Sequence, residues 1–139
     1  MKTKLVITSV LLIAGFFVFR MITGYKPLDE KKPWPVPDKD KNMANPVKAD
    51  ASSIAEGKVL WAKHCQSCHG KSGMGDGSKA AQLKTEPGDF SKAETQTQSD
   101  GSLFYKTVQG RDDMPSFKKK VPDADDIWNV VNYIRTFKK

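Results

Sequence analysis

Apolar and polar positions divide the chain into three stretches of different character. Leu5 to Phe19 (LVITSVLLIAGFFVF) runs without a charge behind Lys2 and Lys4, and it has no polar face. From Gly24 to about Asp50 almost no apolar period is visible, and prolines recur at 27, 33, 35, 37 and 46. Beyond Ser52 helical periodicity returns. Ile54, Leu60 and Trp61 share a face, and Ser53 with Glu56 has the spacing of a capping box, so a helix is expected from Ser53 up to the cysteines. Apolar residues at 103, 104, 105 and 108 predict a short helix over 102–109, ended by Gly110. An Asp123 cap, apolar positions 127, 130, 131 and 134 and two closing lysines predict a last helix.

The first stretch reads as an export signal or a membrane anchor. Fifteen uncharged residues suit a signal core, whereas a spanning helix needs about twenty residues. With Arg20 snorkelling outward, residues 5–22 reach eighteen and can span. No small-x-small cleavage site and no cysteine that could take a lipid follow in FRMITGYK, so an uncleaved anchor over 1–23 is preferred to a cleaved signal. Lys2 and Lys4 favour a cytoplasmic N-terminus, which sends the rest of the chain across the membrane. Residues 24–51 then form a Pro-rich linker, semi-rigid around PWPVP, and 52–139 the folded domain.

Charge changes this picture little. The chain of 139 residues carries a formal +7, but nine basic and five acidic residues lie within the first 50, leaving 14 basic and 11 acidic for the domain, a net +3. No basic stripe with interleaved aromatics is present, which argues against nucleic-acid binding. The lysines are better suited to steering the domain onto acidic protein surfaces.

Candidate chemistry centres on Cys65-Gln66-Ser67-Cys68-His69. Two thiols three residues apart on one turn can form thioethers with the two vinyl groups of a haem, and the next residue presents its imidazole to the iron. A disulfide between them would close too small a loop to staple a fold. A thioredoxin-like redox pair would need a βαβ context. A closed zinc site would need a second pair of ligands, and the only further candidate, His64, is crowded into the same turn and is expected to be exposed or supporting rather than an iron ligand. The loop after the motif has glycines at 70, 73, 75 and 77, which would let backbone pass close to a flat ligand. Of the five methionines, Met1 and Met21 lie in the N-terminal segment and Met43 in the linker. Met74 is only five residues from His69, too near to cross to the opposite face of a porphyrin, whereas Met114 lies 45 residues on, in a loop free to wrap the far side.

CHGKSGMGDGSKA, followed by DGSLFYKTVQGRDDMPSF and IWNVVNYIRTF, resembles the class I, single-haem bacterial cytochrome c family in a membrane-anchored form, over about Ser52 to Phe137. The resemblance implies an all-α fold, three to five helices around one covalently attached haem c, behind the N-terminal apolar helix. It implies His69 and Met114 as axial iron ligands, Met114 lying in a segment like the family's GxxxMP. It implies Pro87 as the carbonyl that accepts the Nδ1 proton of His69, and a contact between Gly57 of the first helix and Tyr133 of the last.

A soft thioether opposite histidine raises the reduction potential, and with both axial positions filled the iron exchanges single electrons without rearranging its ligands. The expected role is therefore a carrier between a quinol-oxidising complex and a terminal oxidase or reductase, or the cytochrome subunit of one, and not an enzyme in its own right. It would lie on the periplasmic face of a bacterial inner membrane. A haem enzyme or gas sensor with a labile sixth ligand is the alternative. Because so small a core leans on its covalent group, a chain carrying Cys65→Ala and Cys68→Ala is expected to show no cooperative thermal transition. Calorimetry showing a sharp unfolding peak would contradict this.

Overall fold

The computed structural model describes residues 33–139. The expected N-terminal apolar helix and anchor lie outside the described residues. Among the described residues no helix is long and apolar enough to cross a membrane.

The described part from Pro35 onward is helical, without strands. Its elements are α1 (Asp38–Lys41), α2 (Ala51–His64), α3 (Gln66–His69), α4 (Ala93–Gln96), α5 (Asp100–Gln109) and α6 (Ala124–Arg135), with a 3-10 turn at Ala80–Gln82. Helices α2, α5 and α6 are long enough to form the frame, and the others are single turns.

Helix α2 begins two residues earlier than its sequence suggests. Asp50 is the cap, its carboxylate accepting from the Ser53 amide at 3.1 Å. Ser53 and Glu56 do not form the expected capping box, because both face α6 instead. The Ser53 hydroxyl donates to Asn129 Oδ1 at 2.6 Å and accepts from Asn132 Nδ2 at 2.8 Å, while Glu56 accepts from Asn129 Nδ2 at 2.8 Å. Helix α5 is capped by Ser99, whose hydroxyl accepts from the Ser102 amide. Helix α6 starts where expected, with Asp123 accepting from the Asp125 amide at 2.9 Å. Asp125 and Asp126 in its first turn and Arg135 in its last complement the helix dipole.

The α2–α6 crossing is the main packing contact. A methyl group on Gly57 would collide with the Asn129 carbonyl oxygen and would lie 2.9 Å from Tyr133 Cβ. The expected meeting of Gly57 with Tyr133 is therefore present, and the tighter approach is to the Asn129 backbone. Buried apolar side chains form one cluster of Trp61, Leu103, Trp128, Val130, Val131 and Ile134, and a second of Phe117, Val121 and Ile127. Phe104 packs against both and stacks on Trp128 with ring centroids 4.1 Å apart.

The segment expected to be an open linker up to residue 51 is instead folded onto the domain from Pro35. Asn45 Nδ2 donates to Asn132 Oδ1 at 2.8 Å, Asn132 Nδ2 reaches the Val47 carbonyl at 3.2 Å, and Val47 packs on the larger cluster. Ser99 donates to the Lys41 carbonyl at 2.6 Å, and Gly101 lies flush against the backbone of Asp40 and Met43. The physical reason is that this docking uses backbone carbonyls and two asparagines, which leave no apolar period to read. Arg135 ties the other end, donating to Asp100 Oδ1 and to the Gln96 and Gln98 carbonyls.

In an ordinary helix interior, Gly57→Ala would gain about 1 kcal/mol. Here the methyl has no space, and overpacking costs of about 1–3 kcal/mol or more are expected to reverse the sign, with a net loss of about 2 kcal/mol. Urea unfolding of the haem-loaded protein measures this; a rise in midpoint at constant slope would contradict it.

Candidate haem site

The motif sits where α2 gives way to α3. The Cys68 and His69 amides both donate to the Cys65 carbonyl, at 3.1 and 3.0 Å, so one tight turn carries both thiols and the imidazole. Cys65 and Cys68 are half-buried and not joined by a disulfide. Burial, reinforced by Cys68 alongside, pushes the Cys65 thiol up to about 12. A catalytic or redox CxxC pair needs a thiolate of lowered pKa, so this environment favours a neutral thiol ready for a thioether.

The glycine-rich loop wraps back over the turn. The Gly75, Gly77 and Lys79 amides donate to the carbonyls of His69, Cys68 and Ser67 at 2.9, 3.2 and 2.8 Å, meeting acceptors that the end of a one-turn helix leaves open. A side chain on Gly77 would lie 2.6 Å from the Cys68 carbonyl carbon, and Gly70 takes φ +81° to leave the helix. The close approach expected here between backbone and a flat ligand is, in this structure, an approach of backbone to backbone.

Aromatic rings fix the imidazole. Trp61 is 2 % exposed and its indole N–H donates to the Gly70 carbonyl at 3.0 Å. Its ring lies 5.7 Å from His69 and 5.0 Å from Phe137, and Phe90 lies 4.7 Å from His69. Phe90 is held in turn: its amide donates to the Gly73 carbonyl at 2.7 Å, and its carbonyl accepts from Gln96 Nε2 at 2.7 Å.

In this setting burial drives His69 down to about 4, the Pro87 carbonyl against the ring partly opposing it. Pro87 is thus the residue whose backbone faces the His69 ring. His69 Nδ1 nevertheless makes no hydrogen bond of regular geometry and is buried without a partner. A buried orphan nitrogen calls for an explanation. A metal on the other ring nitrogen would place the proton on Nδ1, where a neighbouring carbonyl can accept it. His64 packs elsewhere, its ring centroid 6.1 Å from that of Phe117.

Met114 lies in a rigid turn. The Arg111 amide donates to the Met114 carbonyl at 2.8 Å and the Met114 amide to the Arg111 carbonyl at 2.9 Å, with Asp112 at φ 52° between them. Its half-buried side chain packs against Phe117, Val121 and Ile127. Gly110, at φ +69°, lets this loop fold back on itself, and a side chain there would lie 2.5 Å from the Ser116 nitrogen. Met74 is 44 % exposed, its sulfur 4.0 Å from Lys139 Nζ, and Met43 is also exposed. Among the described methionines, Met114 alone is set in an apolar cluster. The residues therefore fit a haem: two free thiols and an imidazole on one turn, an unpartnered ring nitrogen near a carbonyl, and a thioether in apolar surroundings.

Sequence reasoning missed Phe90, the positioning role of Trp61 and a contact from Asp113. The Asp113 carboxylate accepts from the Lys84 amide, the Thr85 amide and the Thr85 hydroxyl at 2.7, 2.9 and 3.1 Å. A chain-remote contact of this kind has no local signature.

Acid should destabilise the fold through His69. An unfolded imidazole protonates near 6.5, the buried one only near 4, so the unfolded state binds the extra proton. Stability is therefore complete above about 6.5 and falls as pH drops towards about 4, by at most about 1.4 kcal/mol per pH unit for one proton. Denaturant titrations of the haem-loaded protein at several pH values test this, and a midpoint unchanged between neutrality and the lower bound would contradict it.

The family described as "Cytochrome C oxidase, cbb3-type, subunit III" matches residues 52–134. No curated protein sequence matches the chain. Among solved structures, a chain of the reducing HAO-like protein complex of Kuenenia stuttgartiensis superposes with a TM-score of 0.60 at 24% identity, over 78% of this chain and 53% of that one. This chain thus spans about half the length of that structure, and the likeness speaks to the fold alone. The family match covers α2 to α6 and contains the whole CxxCH turn, its glycine loop and the Met114 loop; the chain belongs to the cytochrome c family of cbb3-type oxidase subunit III.

Proposed function

We propose that this protein is a single-haem c-type cytochrome that carries one electron at a time between membrane-bound respiratory complexes, or serves as the cytochrome subunit of one. The observation that carries the reading is the CxxCH turn itself, which sets both thiols beside a His69 imidazole whose Nδ1 is buried and unpartnered. Haem c, when bound, supplies a one-electron iron couple.

The chain's own residues do the rest. Cys65 and Cys68, free thiols on one turn, would hold the group through two thioethers. His69 would bind the iron, its ring set by Trp61 and Phe90. Met114, fixed by its turn, would offer its thioether to the iron, in apolar surroundings of Phe117, Val121 and Ile127. With His69 and Met114 each held by a hydrogen-bonded turn, little rearrangement would accompany a change of charge, which favours electron transfer over substrate binding. Residues 5–22 would tether the domain to the outer face of a bacterial inner membrane, raising its local concentration near membrane-bound partners such as a quinol-oxidising complex and a terminal oxidase or reductase. Lys71, Lys79 and Lys118 to Lys120 are all exposed and available to steer an acidic partner.

Carbon monoxide tests the ligand set. The reduced wild-type protein should bind it weakly and slowly, whereas Met114→Ala should bind it readily and show a lower reduction potential. Fast, tight binding by the wild type would remove Met114 as a firm ligand and point to a haem enzyme or gas sensor.

A further inference from the structure

Two aspartates precede Met114 and behave differently. Asp112 pairs with its neighbour Arg111, at 3.3 Å. Asp113 reaches instead to a segment of chain 28 and 29 residues away, where its Oδ2 alone accepts from Lys84 N, Thr85 N and Thr85 Oγ1 at 2.7, 2.9 and 3.1 Å. Those donors lie two and three residues before Pro87, whose backbone faces the ring of His69, where Nδ1 is buried and unpartnered. On its other side Asp113 is inside the turn closed by Arg111 and Met114. Asp113 thus adjoins Met114 directly and holds the Pro87 segment through Lys84 and Thr85.

We propose that Asp113 is a positioning residue: it latches the Met114 loop to the segment bearing Pro87, so that one carboxylate holds the settings of both axial ligands. This rests on the reading of His69 and Met114 as the axial pair. A thioether is a soft ligand and binds harder, ferric iron less firmly than ferrous iron. Its retention then depends on how little freedom the loop recovers on release, which a preorganising latch reduces. Hydrogen bonds to an ionised acceptor are the stronger kind, and two of the three donors are main-chain amides that side-chain variation at 84 and 85 would leave in place.

The test uses the full-length, haem-loaded protein as wild type, Asp113→Ala, Asp113→Asn, Thr85→Val and Asp112→Asn. Two properties are read: the pH at which the methionine-to-ferric-iron charge-transfer band disappears on alkaline titration, and the affinity of the ferrous protein for carbon monoxide. Asp113→Ala should lower that pH by about one unit and raise the carbon monoxide affinity about tenfold, the factor carried by a lost charge-assisted hydrogen bond. Thr85→Val and Asp113→Asn should shift both in the same direction by less, and Asp112→Asn should match the wild type. If Asp113→Ala fails to fold, Asp113→Asn and Thr85→Val decide the question by the same readouts. Wild-type values in the Asp113 variants despite lowered thermal stability would overturn the latch, as would an equal shift in Asp112→Asn, which would make the effect one of charge alone. A wild type lacking the band altogether would overturn the axial reading beneath it.

Discussion

Helices α2 and α6 meet at Gly57, where the absence of a side chain lets the first helix rest on the Asn129 carbonyl. That approach sets the position of Trp61 one turn further along α2, against Tyr133 and Phe137 from the end of the chain. Trp61 in turn holds the Gly70 carbonyl, and Gly70 begins the loop whose amides satisfy Ser67, Cys68 and His69. Placement of the imidazole is thus the last step in a sequence of contacts that begins with a missing methyl group. An error at the crossing would be carried to the ligand turn through a rigid indole.

Polar groups do as much as apolar ones in holding this frame. The buried face of α6 includes Asn129 and Asn132, 5 % and 3 % exposed, whose amides join Ser53, Glu56, Asn45 and Val47. Such groups are expensive to bury unless paired, and here their partners come from two separate stretches of chain. Because an amide tolerates fewer alternative packings than a methyl group, the network selects one register of α2 on α6. The apolar core itself is small and divided between two clusters bridged by Phe104, an arrangement well suited to a domain completed by a large flat prosthetic group.

Much of this was legible in the residues. The CxxCH spacing, the terminal helix with its Asp123 cap, the helix ended by Gly110 and the pairing of Gly57 with Tyr133 all rest on local patterns or family motifs, and each has its counterpart in the fold. Met74 is exposed with its sulfur near Lys139 Nζ, whereas Met114 lies in the smaller apolar cluster. What escaped notice was contact at long range between polar residues. Ser53 and Glu56 carry the spacing of a local cap yet serve the opposite helix. Asn45 and Val47 sit in a stretch whose composition resembles a spacer, and Asp113 differs from Asp112 only in where its carboxylate finds amides. Periodicity reports which face of an element is apolar; it is silent about a hydrogen bond that spans eighty residues.

The docking of residues 35–50 changes how far the domain could travel if something upstream holds it. An extended chain covers about 3.1 Å per residue, so withdrawing these sixteen residues from a tether shortens its reach by up to about 50 Å. The volume searched falls with the cube of that length, and the departure point of the chain becomes fixed on the domain's own surface. A leash shortened in this way trades range for encounter frequency, since the same domain meets a nearby partner more often while losing access to distant ones.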